Sequence, residues 1–287
     1  MKRSEFIRTS AFAGISLSMS SFSSFTQASS KVMGAQLWTI REDLKKDLPG
    51  SLKKLSALGY TEIELFGYDG SFWGRDAKTL KKICVDNNLK IVSSHYDTGR
   101  VDQALGTLVN GWDKAVEDAQ TLGCQYMLCA WLLPAERGKL DMYKELVDLL
   151  SRSAEKVKKA GMQFAYHGHD FEFDVVDGVT PYDLILEKTD KEMVMMEADL
   201  YWITKAGKDP IAYFKKHPGR FPLWHVKDMD QKGDFTEVGA GHINFDAIFA
   251  ERNTAGLKHW FVEQDECTGD HFESLRKSHD YIAKKPW

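Results

Sequence analysis

The sequence predicts an α/β fold: a closed (β/α)8 barrel, of the TIM-barrel type, in a single domain. Three observations predict it. Short apolar runs rich in β-branched and aromatic residues recur eight times, and amphipathic segments with helical spacing separate them. Consecutive runs begin roughly 28 to 38 residues apart, the length of one strand–loop–helix unit. No Pro/Gly/Ser-rich joint or low-complexity tract interrupts the chain after residue 30, so eight units fill one barrel of about 250 residues.

The strand-like runs are VMGAQLW (32–38), TEIELF (61–66), LKIVSSH (89–95), CQYMLCAW (124–131), MQFAYH (162–167), MVMMEAD (193–199), FPLWHVKD (221–228) and HWFVEQD (259–265). After the first, Pro49 opens a helix that carries Leu52, Leu55 and Leu58 on one face and closes at Gly59. DAKTLKKICVDNN follows the second run, and WDKAVEDAQTLG, closed by Gly123, follows the third. The longest helix, LDMYKELVDLLSRSAEKVKKAG, has a stripe of Leu146, Leu149, Leu150 and Val157 and ends at Gly161. Asp209-Pro210 starts another, Asn244 caps FDAIFAERN, and the last runs from about Asp270 to Ala283. An open doubly wound sheet is the competing fold, but it places a glycine-rich phosphate turn after its first strand. Here TIREDLKKD stands in that place, and the later GAGH (239–242) offers only G-x-G and reads as a structural turn.

The chain has 287 residues, 43% hydrophobic and 28% charged. These globular proportions exclude a disordered tail, a collagen-like chain and a polytopic membrane protein. With 42 acidic against 38 basic side chains the formal net charge is −4, without the basic excess of a nucleic-acid binder. Residues 1–28 read as a bacterial export signal: Lys2, Arg3 and Arg8 begin it, Ala11 to Met19 is a short apolar run, and Thr26-Gln27-Ala28 offers a cleavage point. It is similar to a twin-arginine signal, with Ser4 in place of the second arginine. Residues 29–287 are then the barrel, in the periplasm or secreted. No later stretch is apolar over the ~18 residues a membrane span needs. Cys84, Cys124, Cys129 and Cys267 lack the C-x-x-C spacing of a redox or zinc motif, and Cys124 and Cys129, in one apolar run, read as buried thiols.

Chemistry in such a barrel collects at the C-terminal ends of the strands, and these ends are polar. The second run carries Glu62 and Glu64, and the third ends in His95. The fifth ends in Tyr166-His167-Gly168-His169-Asp170-Phe171-Glu172, and the sixth in Glu197-Ala198-Asp199. The seventh ends in His225-Val226-Lys227-Asp228, and the eighth in Glu263-Gln264-Asp265. A lone carboxylate at a strand end is commonly a helix cap, and a lone histidine a hydrogen-bonded core group. Four adjacent strands share one explanation: their ends form an arc that converges on one ion. Mixed imidazole and carboxylate ligands suit Mn²⁺, Mg²⁺, Co²⁺ or Zn²⁺, and the lack of thiolates argues against a structural zinc site.

Four motifs fix the comparison further. They are Asp199-Leu200-Tyr201-Trp202 with Ala206-Gly207-Lys208-Asp209-Pro210, then W-H-V-K-D (224–228), V-G-x-G-x-I-N-F (238–245) and V-E-Q-D (262–265). Through them the chain from residue 33 onward resembles the xylose isomerase-like barrel superfamily, the group of sugar phosphate isomerases/epimerases and inosose dehydratases. The resemblance implies one divalent metal ion held by four side chains from strands five to eight, by position His167, Asp199, His225 and Glu263. Many relatives carry Glu-Asn-His on strand five, where this chain has His167-Gly168-His169, so an imidazole takes the glutamate's position. Relatives often read Asp-x-x-His after strand six, where this chain has Trp202. A trinuclear phosphodiesterase site of the endonuclease IV type needs more His and Glu ligands than this arc supplies.

In such enzymes the metal polarises a carbonyl, and a base removes the proton from the neighbouring carbon. Reprotonation at another carbon isomerises, and on the other face epimerises. Expulsion of a β-oxygen turns the same enolate step into a dehydratase or lyase reaction. The resemblance implies a sugar isomerase or epimerase first and a dehydratase or lyase on an inosose or 3-keto-glycoside second. A catalytically silent carbohydrate-binding barrel is the third reading. Glu263, His167, His169 and Glu172 are the candidate proton-transfer groups. His95, Gln36, Trp38, Trp131, Trp202 and Lys227 are candidates for binding the sugar, and Asp228 for orienting a ligand from behind. The expected partner is a small carbohydrate, with pairing into a homo-oligomer a further expectation.

Overall fold

The computed structural model describes residues 32–287; the export signal expected over 1–28 lies outside the described residues. The strands in chain order are β1 (Gly34–Gln36), β2 (Glu62–Leu65), β3 (Lys90–Asp97), β4 (Tyr126–Trp131), β5 (Gln163–His167), β6 (Val194–Asp199), β7 (Leu223–Val226), a short antiparallel hairpin of β8 (Asp228–Met229) and β9 (Phe235–Thr236), and β10 (His259–Val262). Leaving out the hairpin, the strands close into a parallel barrel, with β1 paired to both β2 and β10. All eight strand-like runs of the sequence are barrel strands. The helices begin where side chains can satisfy their free N–H groups. Asp76 accepts from Thr79 N–H at 2.9 Å to start Ala77–Asp86. Asp209, Asn244 and Asp270 do the same for Pro210–Lys216, Phe245–Ala250 and His271–Ile282.

Period-two alternation decides which side chains enter the barrel. The lower interior is dry: Val92, Leu128, Ala165, Leu223 and Phe261 form their own buried cluster. Gly34 makes room for it, since a Cβ there would lie 2.5 Å from the Phe261 ring. Two residues further along the same faces stand His167, His225 and Glu263, so an ionic layer lies directly on an apolar one. Outward-facing neighbours such as Tyr166, Val226 and Val262 pack into the main core.

Strand β3 carries a bulge. Its pairing with β2 runs Ile63 with Ile91 and then Glu64 with Ser93, which leaves Val92 as the extra residue. The step lets Val92 fill the dry layer while Ser93 and His95 join the ionic one. At the opposite mouth of the barrel Glu62 bonds Lys90 at 2.8 Å and His259 at 2.7 Å, and His259 reaches Gln125 at 3.1 Å. Glu62, read from sequence among the polar ends, therefore belongs to the stabilising end of the barrel. All four cysteines are free thiols. Among the described residues no helix is long and apolar enough to cross a membrane.

Candidate metal centre

The ionic layer has two tiers that share His225. In the lower tier the carboxylate of Glu197 is a hub: its Oε2 lies 3.0 Å from His95 Nε2, 3.0 Å from His167 Nδ1 and 3.1 Å from His225 Nε2. Glu64 supports the same rings, with Oε1 2.7 Å from His225 Nε2 and 2.8 Å from His95 Nε2. Ser93 and Gln36 donate to Glu64 at 2.5 and 2.8 Å. A carboxylate against one imidazole nitrogen holds the proton there and leaves the other nitrogen as a lone pair. His167 Nε2 is then free toward the upper tier, while His225 Nδ1 faces Glu263 there and carries a proton that a metal ion would have to displace.

In the upper tier His225 Nδ1 lies 2.7 Å from Glu263 Oε2 and 3.6 Å from Asp199 Oδ2, and His167 Nε2 lies 3.9 Å from Asp199 Oδ2. All four side chains are buried. Yet Asp199 Oδ2, His225 Nδ1 and Glu263 Oε2 have no aligned hydrogen-bond partner among the described residues. Ion pairs hold them together, His225 with Glu263 at 2.7 Å and Lys227 with both carboxylates, and the same three groups could face a shared ion. Donors held at roughly 2.0–2.2 Å from one ion stand about 3–3.5 Å apart, and a two-nitrogen, two-oxygen set suits a first-row divalent cation. Asp199, His225 and Glu263 form a compact group that could hold a metal ion, with His167 Nε2 beside them at 3.9 Å from Asp199. The lower group of His95, His167, Glu197 and His225 is also compact, but its facing atoms are engaged with one another.

Lys227, 2% exposed, puts Nζ 3.0 Å from Asp199 Oδ2, 2.7 Å from Glu263 Oε2 and 2.7 Å from Asp265 Oδ1. Burial opposes its charge, but Asp199, Asp265 and Glu263 more than reverse this, and the ammonium holds its proton well above the usual lysine range. Burial would also keep Glu263 protonated; Lys227 and His225 overcome it and bring the carboxyl down to about 2. Burial pushes Asp265 up to about 6 against the pull of Lys227.

His169 sits beside this tier. Its ring stacks on Phe171 at 5.4 Å and meets Trp131 and His167 edge-on, each at 4.8 Å. Burial, then His167 and Lys227, drive its pKa well below the usual value, and Nδ1 has no partner among the described residues.

Several sequence candidates stand elsewhere. Glu172 accepts from Tyr166 Oη at 2.6 Å and from His169 N–H at 2.8 Å, so it faces outward with Tyr166 and secures the turn after β5. Gln36 is 1% exposed and divides its amide between Glu64 and Trp38 N–H, so it positions Glu64 and is closed to a sugar. His95 lies in the lower tier. Asp228 accepts from the N–H groups of Met229, Gly239, Gly241 and Ile243 and organises that loop; the structure gives it no bond to a ligand. Lys227 pairs with Asp265 rather than with its neighbour Asp228. Trp38 and Trp131 are 40% and 39% exposed at the mouth. Trp202 is half-buried, 5.4 Å from the His169 ring, with Lys227 Nζ 5.8 Å over it. Glu64, Glu197 and Asp265 received no role from sequence, although Glu197 shares a strand face with Asp199 and Asp265 with Glu263.

Fold and site together define a (β/α)8 barrel whose catalytic-end mouth can hold a metal ion. The chain belongs to the xylose isomerase-like TIM barrel family, whose model matches residues 52–285. It is similar to inosose dehydratase of Bacillus cereus, 24% identical over 263 residues, which are 78% of this chain and 88% of that protein. Inosose dehydratase of Lacticaseibacillus casei is 24% identical over 259 residues, covering 77% and 86%. Among solved structures, a sugar phosphate isomerase/epimerase from Parabacteroides distasonis superposes with a TM-score of 0.79 at 28% identity, covering 91% of this chain and 96% of that one. The zinc-bound IolI protein shares the fold, with a TM-score of 0.71 at 18% identity, covering 88% and 96%.

Proposed function

We propose that the protein is a metal-dependent lyase of the dehydratase type: it takes a proton from the carbon beside a sugar ketone and expels the oxygen one carbon further on. The observation that carries this reading is the unequal pair of proton-handling groups that flank Trp202. His169 is a neutral imidazole with a free Nδ1, and Lys227 is a fixed ammonium. Epimerisation at one carbon calls for two groups of similar proton affinity, one on each face, and strand β5 offers imidazoles where the second carboxylate is needed. Elimination calls for one acceptor and one donor, and widely split proton affinities assign those roles.

His167, Asp199, His225 and Glu263 would hold the ion, which when bound would supply Lewis-acid polarisation of the ketone. His169 Nδ1 accepts the proton from carbon and returns it to the departing oxygen, so that the expelled group leaves neutral. Lys227 Nζ donates a hydrogen bond to the developing oxyanion. Glu64 and Glu197 hold His225 and His167 in the tautomers that ligate. Glu263, its proton affinity lowered by Lys227, serves as ligand rather than base. Similarity to the inosose dehydratases supports a polyhydroxylated ketone as substrate. Export, read from residues 1–28, belongs to the proposal and favours free sugars or glycosides over sugar phosphates. The second reading, a sugar isomerase or epimerase, draws support from the likeness to the Parabacteroides distasonis protein.

The test is the rise of conjugated-enone absorbance when protein loaded with Mn²⁺ receives an inosose or a 3-keto-glucoside. His169→Gln and Lys227→Met are expected to retain the metal and lose about 100-fold or more in rate. Interconversion of epimers with no enone would replace the lyase by the second reading.

A further inference from the structure

Lys227 and a divalent cation would compete for the same two oxygen atoms. Its Nζ lies 3.0 Å from Asp199 Oδ2 and 2.7 Å from Glu263 Oε2, and these carboxylates group with His225 as possible ligands. An ammonium and a divalent cation on the same buried oxygens repel one another, with little water to screen them. The lysine has to give way, and three observations show where it can go. Asp265 Oδ1 already lies 2.7 Å from Nζ, and Asp265 stands outside the group of possible ligands. The rings of Trp202 and Phe235 lie 5.8 and 6.0 Å from Nζ, within reach of a cation over an aromatic face. Asp199 Oδ2, Glu263 Oε2 and Asp265 Oδ1 all lack an aligned hydrogen bond among the described residues, so charge holds the ammonium between them and no directed bond fixes it. Asp265 itself is anchored, since Arg41 donates to its C=O at 2.8 Å and Gln264 N–H donates to Thr39 Oγ1 at 2.9 Å.

We infer that Asp265 is a positioning residue for Lys227: it holds the ammonium clear of Asp199 and Glu263 when a divalent cation binds there. In the metal-free protein Lys227 neutralises those same two carboxylates. The pair therefore sets how tightly the ion is held. The formal charges divide in the same way. Asp199 and Glu263 together balance one divalent cation, and Asp265 balances one ammonium. The flexible four-carbon stem of lysine permits the shift without movement of the backbone. The inference rests on the metal reading above and is independent of which reaction follows.

The experiment loads full-chain wild type, Lys227→Met, Asp265→Asn and the double variant with Mn²⁺. Each is equilibrated against a graded series of chelator concentrations, and bound Mn²⁺ is read after desalting. Because every protein starts loaded, none has to fold without the ion. Lys227→Met is expected to hold Mn²⁺ about tenfold or more tighter than wild type. Asp265→Asn leaves the ammonium on the ligands and is expected to hold Mn²⁺ about tenfold weaker. Asp265→Glu is expected to recover most of that loss. With Lys227 gone the loss is expected to disappear, so that the double variant matches Lys227→Met within about twofold. A loss of the same size with and without Lys227 would mean that Asp265 acts through its own charge, and would overturn the inference. Lys227→Met that binds no tighter than wild type would overturn it as well. Uptake of Mn²⁺ by none of the four proteins would instead bring down the metal reading, and the inference with it.

Discussion

Glu172 shows what burial does to a single group. Its carboxyl, fully enclosed, is pushed up to about 7 by burial, with Tyr166 and the backbone N–H of His169 only partly opposing this. In the unfolded chain it titrates near 4.3. Below that value both states are protonated and the folded state keeps its full advantage. As pH rises through about 7 the buried carboxyl must ionise and that advantage is lost. Glu172→Gln cannot ionise. Wild type is therefore expected to lose, between pH 5 and pH 8, on the order of 2–3 kcal/mol of stability relative to Glu172→Gln, read from denaturant midpoints. An offset that is the same at both pH values would contradict this. The residue also marks a limit of sequence reading. Its type and position suit the site, but Gly168 and the 3-10 turn Phe171–Phe173 carry it round to the outer face. His167, Asp199, His225 and Glu263 were legible because they lie on regular strands or one residue beyond, where alternation still fixes direction.

At the scale of elements, strand order and the inward faces followed from the apolar runs, and the register of β3 did not. Val92 is an extra residue that only the pairing with β2 reveals, and without it His95 would not face Glu197. The loop after β7 is the second case. V-G-x-G-x-I-N-F reads as a turn, and the structure gives the reason: four backbone N–H groups converge on Asp228. Gly241 is required there by contact, since a Cβ would lie 2.2 Å from Asp228 Oδ1 and 2.4 Å from Met229 C=O. Gly241→Ala is expected to cost about 1–3 kcal/mol and lower Tm by several degrees, with metal stoichiometry unchanged. A variant as stable as wild type in thermal unfolding would show that the loop relaxes without Asp228.

The whole molecule is a layered charge problem. Glu64, Glu197, Asp199, Glu263 and Asp265 gather above an apolar floor. Against them stand Lys227, His95, which Glu64 and Glu197 raise to about 9 against burial, and His225, likewise raised well above its usual range. Such a concentration of buried carboxylates is costly unless compensated, and a divalent ion in the upper tier would complete the compensation and would replace the proton on His225 Nδ1. The sequence carried the arc of candidate ligands but not Lys227's place inside it, because that depends on how far three strand ends stand apart in the closed barrel. The most direct test incubates metal-loaded protein in D₂O with an inosose and a 3-keto-glycoside, removes the metal with a chelator, and reads products by NMR. The account predicts deuterium at the carbon beside the ketone in recovered substrate, together with an enone product. Both are lost in Asp199→Asn along with the bound ion. Full metal binding by Asp199→Asn, or a metal-loaded wild type that neither exchanges nor eliminates on either substrate, would contradict it.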